Sequence, residues 1–123
     1  MIKNLVLPYI RQYCDNSHFD VNAMVAGLNI SAGYLREITH RHFGLAPREL
    51  IEAVRICNVL DLLDTNESLI VISTKCGFGN YRTFRSAFER RIGMTASRAR
   101  DLIRKSDDKE ALKKQWCGSL WSE

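Results

Sequence analysis

Apolar residues recur along this chain at spacings of three and four, β-branched runs are short, and glycine and proline are scarce, which predicts an all-α fold of about seven helices. "IKNLVLPYIRQYCDN" opens it, a helix expected to be regular only after Pro8, because proline suits a first turn and disrupts an interior. Asp20 is placed to cap a short helix, "VNAMVAGL", and Ser31 a third, "AGYLREITHRHF", which Gly44 ends. Pro47 opens a long helix to Asp64 with an apolar stripe of Leu50, Ile51, Val54, Val59, Leu62 and Leu63. Ser68 caps a short fifth helix that stops at Gly77. Asn80 caps a sixth, "YRTFRSAFERRI", that stops at Gly93, and Thr95 or Ser97 starts a seventh running to about Lys105. The remaining 106–123 is polar but ends in Trp116, Leu120 and Trp121, which fits either a frayed helix or a flap over the body.

An internal repeat organises these elements. Sliding the chain by 49 places Ser31 on Asn80, Leu35 on Phe84, Arg36 on Arg85, Arg41 on Arg90 and Gly44 on Gly93; the short helices before them match at 48, with Met24 on Ile72 and Ile30 on Phe78. Each copy is a short helix, a turn with an apolar plug and a capped helix of about twelve residues, the layout of a helix-turn-helix unit. The expected organisation is two helix-turn-helix subdomains joined by a long linker helix: residues 1–45, linker 46–64, second unit 65–105, tail 106–123. A plain helical bundle is the alternative reading of this pattern.

Charge sharpens the picture because it is local. The whole chain is +4, yet residues 81 to 105 carry eight bases against only Glu89 and Asp101, whereas 51 to 80 carry Arg55 and Lys75 against four acids. Such a patch attracts polyanions better than dispersed charge does. The four cysteines form no CxxC pair, so neither a zinc ribbon nor a disulfide framework is expected, but four reduced, mostly buried thiols in a cytosolic protein. "LVLPYI" has Pro8 within it and no small-residue cleavage site after it, which excludes a signal peptide, and no run reaches transmembrane length. Catalysis is not expected. His40 and His42 sit two apart on different helix faces, and no nucleophile with base and orienter appears; the histidine and cysteine spacings match no usual metal-ligand set either, and no cofactor is implied.

"SLIVISTKCGFGNYRTFRSAFERRIGMTASRAR" resembles the second helix-turn-helix of AraC-type transcription regulators, with Ile72, Gly77, Phe78, Phe84, Phe88, Gly93, Thr95 and Arg100 on the family signature without gaps. Upstream, Ser31, Leu35, Gly44, Pro47, Arg55, Leu62 and Leu63 are in register with the first unit and linker, so the resemblance spans about residues 20 to 100. Departures fall mostly at core or cap positions. Val25 and Ser73 stand where a small alanine is usual, Thr39 where the first unit usually has phenylalanine, and Ala96 and Ala99 where proline and an aromatic are common.

The resemblance implies a regulator, an activator by the habit of the family, that binds double-stranded DNA and contacts RNA polymerase in the cytoplasm. On the sixth helix, burial of Phe84, Ala87, Phe88 and Ile92 leaves Tyr81, Arg82, Arg85, Ser86 and Glu89 outside, and those near its start are placed to reach base edges in a major groove. Arginine's fork matches guanine O6 and N7, while Tyr81 or Ser86 suits a phosphate or a thymine methyl. Arg90, Arg91, Arg98 and Arg100 lie nearer the helix end; Arg90 is expected at phosphate and Arg100 as an internal ion-pair partner. On the third helix, Leu35, Ile38 and Tyr34 are expected inside, leaving Ala32, Gly33, Arg36, Glu37 and His40 as the weaker reader. A linker of 18 residues spans about 27 Å, enough to set two readers near the roughly 34 Å repeat of the major groove. One monomer then reads two blocks, or a dimer does if a further domain supplies the interface; there is no room here for a ligand-binding or receiver domain, so the chain is either a stand-alone member or a fragment of a longer regulator. The rival reading is a protein-interaction module on the same fold, binding RNA polymerase or a partner regulator.

Overall fold

The computed structural model describes all 123 residues. Eight helices follow one another: α1 (Lys3–Tyr13), α2 (Val21–Leu28), α3 (Ala32–Phe43), α4 (Pro47–Leu62), α5 (Leu69–Lys75), α6 (Tyr81–Ile92), α7 (Ala96–Lys105) and α8 (Lys109–Gly118). Six of them start where the sequence offers a capping oxygen. Asp20, Ser31, Ser68, Asn80, Thr95 and Asp108 accept from the N–H groups of Ala23, Tyr34, Val71, Thr83, Arg98 and Ala111. α4 begins at Pro47, with the Ala46 N–H donating to the Glu49 carboxylate at 2.8 Å.

One expectation at the start of the chain is corrected. α1 is regular from Lys3 with Pro8 inside it. The carbonyl that Pro8 leaves without a helical donor belongs to Asn4, and both residues are exposed, so the missing bond is lost on the solvent side of the helix. The tail forms the eighth helix, α8, packed on α4 and α7. Its anchor is Lys113, only 5 % exposed, whose ammonium donates to the Asp64 carboxylate at 2.9 Å and to the Asp61 carbonyl at 3.3 Å, at the C-terminal end of α4.

Seating α8 on α4 also overturns the expectation of four reduced thiols. Cys57 and Cys117 come to a Cα separation of 5.1 Å and are joined as a disulfide, while Cys14 and Cys76 are buried thiols. Burial pushes the Cys76 thiol up to about 12, which keeps it protonated and unreactive.

The core is double, and α4 serves both halves. Its Leu50, Ile51 and Val54 join Val6, Ile10, Met24, Leu35 and Phe43 in one cluster; its Ala53, Ile56, Val59 and Leu60 join Ile72, Phe84, Phe88, Ala99 and Ile103 in the other. The repeat extends to the backbone hydrogen bonds. In the first turn Ile30 N–H donates to Val25 and Asn29 N–H to Ala26; in the second Phe78 donates to Ser73 and Gly77 to Thr74, each shifted by 48. Asn29 and Gly77 both take positive φ, 55° and 97°. Asparagine tolerates that conformation, but at Gly77 a Cβ would lie 2.0 Å from the Cys14 carbonyl oxygen.

Arginine clamps repeat as well. Arg55 on α4 donates to the carbonyls of Cys14, Asn16 and Phe19, closing the α1–α2 loop. In the second unit Arg100 donates to the carbonyls of Leu63 and Glu67, and Arg104 to that of Thr65. Arg100 is therefore internal as expected, but its partners are backbone carbonyls rather than a carboxylate, because the end of α4 turns its unpaired carbonyls toward α7.

Candidate nucleic-acid interface

α6 has the sharper division between faces. Phe84, Ala87 and Phe88 are fully buried, with the Phe84 ring 5.3 Å from Phe78 and 5.9 Å from Phe88, whereas Arg82, Arg85, Ser86 and Glu89 are exposed. Tyr81 is half-buried, its ring 5.6 Å from Phe84, rather than facing wholly away from the core. Arg82 and Arg85 take part in none of the ion pairs of the structure, so both guanidinium groups are free at the N-terminal half of a capped helix.

Arg90 and Arg91 belong to another arrangement. Arg90 Nη1 and Arg91 Nε both donate to Glu52 Oε1, at 2.8 and 2.6 Å, tying the end of α6 to the linker helix. Burial pushes the Glu52 carboxyl up, but the hydrogen bonds from Arg90 and Arg91 outweigh it and leave the group below its ordinary range. Sequence reading missed this node. Arg90 is 58 % exposed and Arg91 11 %, so Arg91 is a packing residue while Arg90 still presents an edge to solvent.

The first unit places Ala32, Gly33, Arg36, Glu37 and His40 on the exposed face of α3, over the buried Leu35, Ile38 and Thr39. Tyr34, expected inside, is 45 % exposed, since Leu35 and Ile38 already fill the contact with α1 and α4. Glu37 pairs with Arg41 one turn on, at 3.3 Å, which offsets its charge on this face. Arg36 is the one base near the start of α3, and it is unpaired. A side chain at Gly33 would meet nothing nearer than the Arg36 guanidinium, 3.7 Å away.

The two exposed faces thus differ in kind: α6 offers two free arginines and a hydroxyl, α3 one arginine, a histidine and small residues. Both are capped helices of twelve residues that end in a left-handed glycine, Gly44 and Gly93. No group of three His, Cys, Asp or Glu side chains is arranged to hold a metal ion, and no helix is long and apolar enough to cross a membrane.

Comparison with known proteins gives one family and several solved structures of similar fold. Residues 24–102 match the family described as "Helix-turn-helix domain". Among solved structures, the C-terminal domain of AraT, a response regulator from Geobacillus stearothermophilus, superposes with a TM-score of 0.78 at 21 % identity, covering 86 % of this chain and 88 % of that one. The C-terminal domain of the two-component response regulator yesN from Fusobacterium nucleatum gives 0.73 at 23 % identity, over 80 % and 97 %. A Listeria innocua protein of unknown function gives 0.72 at 22 % identity, over 83 % and 96 %. No curated protein matches the sequence significantly.

Proposed function

The chain belongs to the helix-turn-helix domain family, of AraC type, a family of DNA-binding transcription regulators, and we propose that it reads double-stranded DNA with α3 and α6 in successive major-groove segments. The observation that carries this reading is the α6 face, where Arg82, Arg85 and Ser86 stand free over a fully buried Phe84, Ala87 and Phe88. Arg82 and Arg85 take the roles of base readers, since the guanidinium fork matches the guanine edge, and Ser86 and the exposed edge of Arg90 meet phosphate. α3 contributes Arg36 and His40, with Ala32 and Gly33 allowing close approach and Glu37 held by Arg41 away from the phosphates. At about 24 Å, the 16-residue α4 is shorter than the roughly 34 Å groove repeat, and the breadth of the flanking helices supplies the rest of the span.

Selection of bound sequences from a random duplex library, followed by titration of the winner against salt, tests the reading. Two enriched blocks about ten base pairs apart, with affinity falling steeply as salt rises, are the expected result. Within that complex, R82A and R85A together weaken binding more than R36A does. Salt-sensitive binding with no enriched sequence refutes sequence reading, and a larger loss from R36A refutes the ranking of the two helices.

A second reading has its own observation. Ile70 and Val71 of α5 are 59 % and 43 % exposed, an apolar pair that the fold leaves uncovered beside the DNA-reading helix. Such a surface suits a protein partner, RNA polymerase in an activator, and the two readings coexist if the partner is engaged on DNA.

A further inference from the structure

The last four residues leave the unit that anchors them and end on the other. α8 belongs to the second unit: Lys113 is tied to Asp61 and Asp64, Cys117 to Cys57, and Leu112 and Trp116 pack against the second core. Leu120, 6 % exposed, is still part of that core. Trp121 then packs against both cores at once, and the Ser122 N–H donates to the Phe43 carbonyl at 3.0 Å.

Phe43 is the last residue of α3, and its carbonyl is one of the four that a helix leaves without an internal donor. The first of these four, His40, is served locally by Gly44, and the Leu45 N–H reaches back to Thr39. The first reading helix is therefore capped at its C-terminus by a donor rooted in the second unit. The units touch elsewhere too, where Gly77 meets the Cys14 carbonyl beside Arg55, midway along α4. The Trp121–Ser122 contact, beside Leu45 which also packs against both cores, adds a second point of fixation at the C-terminal end of α3, near the start of α4. Two fixed points determine an angle where one leaves a pivot.

We propose that residues 120–123 are a positioning strap that sets the placement of α3 relative to α6, and so the spacing between the two DNA blocks that the protein accepts. This rests on the DNA-reading function proposed above. Inserting a base pair between blocks displaces one along and around the duplex axis; a strapped pair of readers loses a contact, and a pivoting pair follows the groove.

The test uses the full chain and its selected two-block duplex, with one or two base pairs inserted between the blocks, and a single-block duplex as control. The full chain is expected to lose about tenfold or more in affinity on insertion, the size of one disrupted base contact. W121A and Ser122→Pro, which removes the N–H that reaches Phe43, are expected to reduce that loss to under about threefold while keeping the full chain's affinity for the single block. Variants that keep the full chain's spacing profile, or that weaken every duplex equally, overturn the strap. The folded state of each variant is read from its thermal melt, and if one does not fold the other decides. A full chain that enriches no sequence overturns the DNA-reading function itself, and the strap with it; two-block binding with unchanged variants overturns the strap alone.

Discussion

Removing the Glu52 charge tests how α6 is held. Glu52→Gln keeps the shape of the side chain and one acceptor oxygen but leaves Arg90 and Arg91 without their shared carboxylate. Arg90 is 58 % exposed, so water replaces most of what it loses, and that half of the pair contributes no more than about 0.5 kcal/mol. Arg91 is 11 % exposed and its hydrogen bond is to a charged group, which sets its loss at about 1–2 kcal/mol. For a domain of this size the sum lowers the melting temperature by roughly 3–8 °C at neutral pH. The sign of the pH dependence follows from the carboxyl group. Glu52 is held below its ordinary value near 4.5, so its stabilisation is present above that pH and is lost as pH falls through the lower folded value. Thermal melts of both proteins from pH 7 to pH 3 are expected to show a gap that closes on acidification. Equal melting at pH 7 refutes the energetic estimate, and a gap that persists unchanged at pH 3 shows that Glu52 acts through packing instead of charge.

Phe84→Ala empties the centre of the second core, where Phe84 is wholly buried between Phe78 and Phe88, and is expected to cost about 3–5 kcal/mol in urea unfolding. Gly77→Ala forces a side chain into a left-handed turn and into the Cys14 carbonyl; a loss of more than about 2 kcal/mol is expected, whereas Asn29→Gly at the equivalent turn of the first unit changes stability by a few tenths. Equal effects at the two turns would contradict the contact between Gly77 and the first unit.

Much of this architecture is legible in the sequence because its signals are local. A capping oxygen precedes six of the helices, glycine follows α3 and α6, and the α6 stripe of Phe84, Ala87 and Phe88 repeats at helical spacing. What sequence reading missed depends on distant partners. Asn29 carries no glycine signal, yet takes the left-handed turn that Gly77 takes in the other copy. Lys113 looks like one more surface base until α8 lays it over the end of α4 beside Asp64. Arg91 is indistinguishable from Arg90 in an arginine-rich helix, and only the 38- and 39-residue reach back to Glu52 separates the nearly buried one from the exposed one. Cys57 and Cys117, 60 residues apart, give no framework spacing to read. Burial of Phe84, Ala87 and Phe88 makes the opposite face of α6 legible apart from the half-buried Tyr81, whereas Tyr34 on α3 stands outside because Leu35 and Ile38 already fill the contact with α1 and α4.

The helix α4 ends one copy of the repeat and begins the next. No cut in the chain yields two intact halves, since each half requires the same sixteen residues; only overlapping fragments, one through α4 and one from α4 onward, retain both cores. This is the construction rule of stacked repeat proteins, in which every unit is completed by its neighbour. Arg100 and Arg104 on α7 repeat toward the second unit what Arg55 on α4 does toward the first, so α7 stands where a third repeat would start. α8 instead turns back onto α4, and the array terminates at two.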